Sequence, residues 1–220
     1  MQPKLRKAAL IIHISLAVGW IGAVLAYLVL VGEAMRTQDA QTLRNAWIAM
    51  ELIGSELIIP LAFGALTTGL IMSVVTPWGL FQHYWVVLSL GLTIVATIVL
   101  VQHMETVSAF AALAANTDVN AEALRAGLRG ELLHAGLGLC VLIVVEVLNV
   151  VKPKGLTAYG RRRALEPLGR PSPPGASDAT LPSRSASATP LWVRVVGLHA
   201  LGLALLLVIV LHLAGGTPHP

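Results

Sequence analysis

Charge is what this chain has least of. Only 12% of its 220 residues are Asp, Glu, Lys or Arg, and only 5% are aromatic. A soluble domain carries about 25% charged residues, so half that proportion cannot cover a water-facing surface. An ordinary cytosolic globule, a disordered chain and a nucleic-acid-binding domain are thereby excluded. Cysteine is nearly absent as well: Cys140 stands alone, which excludes an intrachain disulfide and any multi-cysteine zinc or iron–sulfur site. With no soft partner nearby, Cys140 reads as a small buried apolar residue. No local ligand motif such as HExxH occurs, and no nucleophile–base pair or cofactor fingerprint argues for an enzyme.

What is present is apolar surface: 56% of residues are hydrophobic and mean hydropathy is +0.78. Five stretches reach membrane length, at 8–31, 47–75, 83–104, 131–151 and 191–214. The first follows a basic start (KLRK) but is too long for a secretory signal core, so it reads as an uncleaved helix. Between Glu56 and Glu105 lie 48 residues without a formal charge, interrupted at Thr76-Pro77-Trp78-Gly79. Pro and Gly there predict a tight turn between two helices. Trp78, Tyr84 and Trp85 beside it form an interfacial aromatic belt. The predicted fold is all-α: a polytopic transmembrane bundle with a four-helix core (1–151) and a fifth C-terminal transmembrane helix (191–214).

Residues 152–190 differ from the rest. They hold seven of the twelve prolines and seven basic residues, and read as a Pro/Ser-rich cytoplasmic linker too poor in large apolar groups to fold. Basic residues also set the orientation. Eleven of the fifteen Lys and Arg lie in the N-terminal tail, the linker and at Arg194; Arg36, Arg44, Arg125 and Arg129 lie on the other side. This predicts a cytoplasmic N-terminus and linker, and an outside C-terminus, in a bacterial inner (cytoplasmic) membrane. The basic linker is expected to lie on anionic headgroups, at about 1 kcal/mol per basic residue.

Ionisable groups inside a bilayer are expensive and mark candidate sites. Topology places His103, His134, Glu51 and Glu56 toward the outer side, with His212 at the same level. Helical phase supports this cluster: Ser89, Thr93, Ala96, Leu100 and His103 share a face of one span, and Glu131, His134 and Gly138 a face of the next. An inner group comprises His13, Thr67, Thr68, His83, Glu146, Asn149 and His199. His13, Trp20 and Tyr27 repeat every seven residues along the first span. His83, between aromatics, reads as an interfacial anchor.

Two facing imidazoles can ligate a b-type haem, with a redox or membrane partner subunit then expected. Imidazole with carboxylate can instead hold copper or another metal through His103, His134, Glu51 and Glu56, or relay protons. A purely structural set of interhelical hydrogen bonds is the remaining alternative. The scarcity of methionine-rich motifs weighs against a cuprous pathway.

The opening helix HISLAVGWIGAVLAYL resembles the His-x6-Trp-x-Gly helix of copper resistance protein D-like membrane families and of the membrane protoporphyrinogen oxidase of bacterial haem synthesis. The phrases MELIGSELIIPLAFGALTTGL, TPWGLFQHYWV and VVKPKGLTAYGRRR are similar to a four-helix bacterial integral-membrane family known as a domain of unknown function. The resemblance covers about residues 5–163. It implies a four-helix fold and, through the haem-synthesis relatives, an association of His13 with haem. It carries no role to His103 or His134.

Overall fold

The computed structural model describes residues 3–165 except 77, 117 and 119, together with 190–195 and 202. Four long helices account for most of it: α1 (Pro3–Arg36), α2 (Ala40–Val75), α3 (Tyr84–Ala115) and α4 (Ala121–Val151). A short α5 (Ala158–Leu165) follows. Among the described residues there is no strand, only one antiparallel bridge between His83 and Leu156. All four long helices are long and apolar enough to cross a membrane. Of the expected fifth span, Leu191–Val195 and Gly202 are helical; the rest, with His199 and His212, lies outside the described residues, as do 166–189.

Each long helix packs on both of its chain neighbours, and α1 closes the ring against α4. Inward faces carry the large buried groups, including Trp20, Val31, Trp47, Met50, Val107 and Leu124. Outward faces are equally apolar: Val29, Leu52, Val74 and Val150 are exposed. An exterior of that kind is stable in hydrocarbon and not in water. Cys140, expected to be buried, is instead exposed on this outward face. A thiol is weakly polar and costs little there.

The helices overrun the apolar stretches at one end of the bundle. α2 begins at Ala40 rather than 47, α3 runs to Ala115 rather than 104, and α4 starts at Ala121 rather than 131. Those extra turns are rich in Ala, Leu, Glu and Arg, strong helix formers even where charge forbids the bilayer. Local chemistry caps them. Asp39 accepts from the Thr42 N–H (2.8 Å) and hydroxyl (2.7 Å), and the Asn120 side chain accepts from the Glu122 N–H (3.1 Å). Arg44 donates to the carbonyls of Ala114 and Asn116 at the end of α3. Arg125 donates to Thr37 O at 2.8 Å, and Trp47 Nε1 to Leu124 O at 3.1 Å. Trp47 stacks on Phe110, centroids 4.6 Å apart, and the Phe110 ring occupies the space a side chain at Gly127 would need.

At the other end, α4 stops at Lys152, whose φ of 47° is left-handed, followed by Pro153. The segment after it folds back instead of leaving at once as linker. Thr157 bonds Gln82 O through its N–H (2.9 Å) and Phe81 O through its hydroxyl. Gly160 lies against Gln82, so α5 sits on the α2–α3 turn. Trp192 Nε1 donates to Lys154 O at 2.7 Å, joining Leu191–Val195 to the same corner.

This corner supplies a depth scale. At 1.5 Å per residue, twenty residues rise about 30 Å, the thickness of a bilayer's hydrocarbon core. Tyr27 is twenty residues from Lys7, Glu56 twenty from Thr76, His103 twenty from His83, and Glu131 twenty from Val151. All four side chains therefore stand near one level, at the far edge of the apolar slab.

Candidate functional site

Two of the residues expected to meet do so. His103 of α3 and His134 of α4 stack face to face, ring centroids 3.6 Å apart and planes 12° from parallel. The carboxylate beside them is Glu131, one turn from His134 on the same face of α4. Its Oε1 lies 2.9 Å from His103 Nε2, and its Oε2 accepts a 2.6 Å hydrogen bond from the Tyr27 hydroxyl of α1. Glu131 is 1% exposed, and both histidines are buried. The His103 contact is close by distance, yet the carboxylate sits off the line of the ring N–H. By hydrogen-bond geometry, His103 Nε2 and His134 Nδ1 both remain without a partner.

These groups form the polar end of a cavity of about 60 Å³, whose walls include Trp20, Ile58, Leu100, Gly138 and Leu142. A water needs roughly 10–15 Å³ by this measure, so a few waters fit, and the two orphaned ring nitrogens supply the polar partners they require. Gly138 contributes to this room: a Cβ there would meet nothing within 4 Å.

Glu51 and Glu56 do not join the cluster. The inward face of α2 is set by Leu43, Trp47, Met50, Gly54 and Ile58, leaving Glu51 half-buried and Glu56 exposed. A π-helical turn at Gly54–Ile58 shapes this stretch. It brings Ile58 to the cavity wall, while Met104 packs where a side chain at Gly54 would stand. Tyr27 and Glu131 are the members that candidate selection by residue type passed over. Both carried a signal: Tyr27 shares the seven-residue stripe of His13 and Trp20, and Glu131 shares the phase of His134 and Gly138.

Toward the other end of the bundle, His13 is half-buried, with Nδ1 2.9 Å from Thr68 Oγ1. The Thr68 hydroxyl proton goes to Gly64 O (2.7 Å), so Thr68 accepts from His13 Nδ1–H. Gly69 leaves room for that ring. Thr67 is exposed. His83 bonds Trp78 O at 2.7 Å and sits among Trp78 and Trp85, as an interfacial anchor would.

The donor set bears on a resident group. Rings stacked at 3.6 Å leave no gap for a macrocycle between them, and 60 Å³ is far below the roughly 300 Å³ at which small-molecule sites begin. His103 and His134 therefore do not fit an axial haem pair as they stand. Imidazole and carboxylate suit copper or zinc chemically. Among the described residues, however, no group of three or more His, Cys, Asp or Glu is arranged to hold a metal ion. The arrangement can hold a proton: the Glu131 carboxylate accepts from a phenol and lies 2.9 Å from one imidazole, on which the second is stacked. No protein-family model, curated protein or solved structure matches this chain.

Proposed function

We propose that the chain is a multi-pass protein of the bacterial cytoplasmic membrane that binds and relays a proton at Tyr27, Glu131, His103 and His134. This is the proton-carrier reading of a four-helix core, to which residues 191–214 add a fifth transmembrane helix. The carrying observation is Glu131, a carboxylate 1% exposed that contacts a phenol and an imidazole about 30 Å from the opposite edge of the slab. An unpaired buried carboxylate is strongly disfavoured, so the cluster is neutral when it holds one proton, as Glu131–COOH with neutral imidazoles or as carboxylate with imidazolium. Gain or loss of a proton leaves a net charge that waters admitted to the cavity and the second imidazole can spread. The excess of basic residues in the N-terminal tail and linker favours an orientation with this site toward the outside.

One observation favours a second reading. The two orphaned nitrogens, with Glu131, would become ligands for copper if the rings rotated apart. A b-type haem on the same histidines would need a larger separation still.

Proteoliposomes holding a pH-sensitive dye distinguish these readings. Under an imposed pH gradient, the intact protein is expected to speed proton equilibration, and Glu131→Gln to abolish that gain. Equal rates for protein-free, wild-type and Glu131→Gln vesicles would reject the proton reading.

A further inference from the structure

A second cavity, of about 410 Å³, opens beyond the proton site at the same end of the bundle. It is lined by Met35 of α1 and by Glu122, Arg125, Ala126, Leu128 and Arg129 of α4. Its size falls within the few-hundred-Å³ range of small-ligand sites, unlike the inner cavity. We propose that it binds the headgroup of an outer-edge phospholipid carrying both a phosphodiester and a primary ammonium, the phosphoethanolamine class.

Depth, charge and order along α4 converge on this ligand. Arg129 and Arg125 are two and six residues beyond Glu131, so they rise about 3 Å and 9 Å past the hydrocarbon edge. Phosphates lie in that zone, since headgroups occupy the outer 5–7 Å or so on each side of the apolar core. Long arginine side chains reach the remaining distance. Arg125 is held by its bond to Thr37 O (2.8 Å), while Arg129 is exposed and makes no hydrogen bond or ion pair with the described residues. Two guanidiniums on one helix face, one fixed and one free, form a phosphate clamp. Glu122 lies farther out, on the water side of both. A phosphoethanolamine headgroup has the same order: acyl chains inward, then phosphate, then ammonium. Met35 and Leu128 supply apolar contact for the glycerol end.

The choice of headgroup follows from Glu122. An ammonium with N–H groups can donate to a carboxylate, whereas a choline cannot, and a glycerol headgroup brings no positive charge. The site therefore differs in kind from the basic stretch at the opposite end, which attracts anionic surface without such selection.

The test is native mass spectrometry of the full chain in detergent, titrated separately with phosphatidylethanolamine, phosphatidylcholine and phosphatidylglycerol, and with inorganic phosphate as competitor. Wild type is expected to retain phosphatidylethanolamine about tenfold better than the other two. Arg129→Gln, at an exposed position, is expected to weaken retention of all three. Glu122→Gln should remove the preference but keep binding of the phosphate-bearing lipids. Equal retention of the three lipids by wild type, or retention unchanged in Arg129→Gln, would overturn the proposal. Displacement of the lipid by inorganic phosphate at comparable concentration would also overturn it, marking a site for soluble anions.

Discussion

Nε2 of His103 lies 2.9 Å from Oε1 of Glu131 across the α3–α4 interface, with the two side chains 9% and 2% exposed. Neither residue is near the other in sequence, and no water-facing ion pair would require such burial. The contact joins the stacked histidines to the Tyr27 hydroxyl, so one carboxylate links three helices.

That linkage has an energetic consequence. Tyr27→Phe removes a hydrogen bond to a buried carboxylate and is expected to destabilise the bundle by about 2 kcal/mol. Combined with Glu131→Gln, the two losses should be non-additive by about 1 kcal/mol, because glutamine keeps an oxygen to accept from the Tyr27 hydroxyl but loses the charge that strengthens the bond. Reversible unfolding in mixed detergent measures all four corners of the cycle.

Two glycines on α4 should respond in opposite ways to alanine. At Gly127 a Cβ would stand 2.7–3.0 Å from the Phe110 ring, which is fixed by its stack on Trp47. Gly127→Ala is expected to cost about 1–3 kcal/mol through overpacking. At Gly138 the Cβ meets nothing within 4 Å, so Gly138→Ala should raise stability by up to about 1 kcal/mol from helix propensity. Thermal melts of the two variants check both signs.

Asp39 gives a pH dependence outside the membrane. The Thr42 hydroxyl and N–H bonds hold its carboxyl below the ordinary aspartate value. A carboxyl whose folded value is depressed contributes stability above its unfolded value, and that contribution disappears as pH falls through the folded one. Wild type should therefore lose more stability between about pH 5 and pH 2 than Asp39→Asn, which keeps the cap without the charge. Melting temperatures across that range, wild type against variant, give the comparison.

Spectroscopy tests whether the histidines hold a haem or a metal. Protein expressed with haem precursor and copper supplied, then purified in detergent, is expected to show no Soret band and less than stoichiometric metal. A Soret band lost on His103→Ala or His134→Ala would contradict the packing of the two rings.

Much of the architecture was legible in the residues because a bilayer leaves few choices. Long apolar runs with few charges marked four helices able to cross a bilayer, and Thr76-Pro77-Trp78-Gly79 marked the turn between two of them. Helix ends were less legible, since the outer turns of α2, α3 and α4 are charged yet good helix formers. Depth and phase together brought His103 and His134 into one site. They did not bring the carboxylate that touches His103. Glu51 and Glu56 stand at a suitable depth, but their azimuth is set by α2's inward face and a π turn that no motif announces. Glu131 stands at the right phase and depth, sharing a face with His134 and Gly138, but nothing in its type or spacing separates it from a helix-end carboxylate that faces water. Cys140 shows the same limit: apolar periodicity is weak when both the core and the lipid face are apolar, so inside and outside cannot be separated by hydrophobicity.

Infrared difference spectroscopy of the lipid-reconstituted protein, stepped across pH, tests the proton site most directly. Wild type is expected to show a carboxyl band that titrates, disappears in Glu131→Gln and shifts in both Tyr27→Phe and His103→Ala. A wild-type difference spectrum indistinguishable from that of Glu131→Gln would show that Glu131 exchanges no proton, and would contradict the assignment.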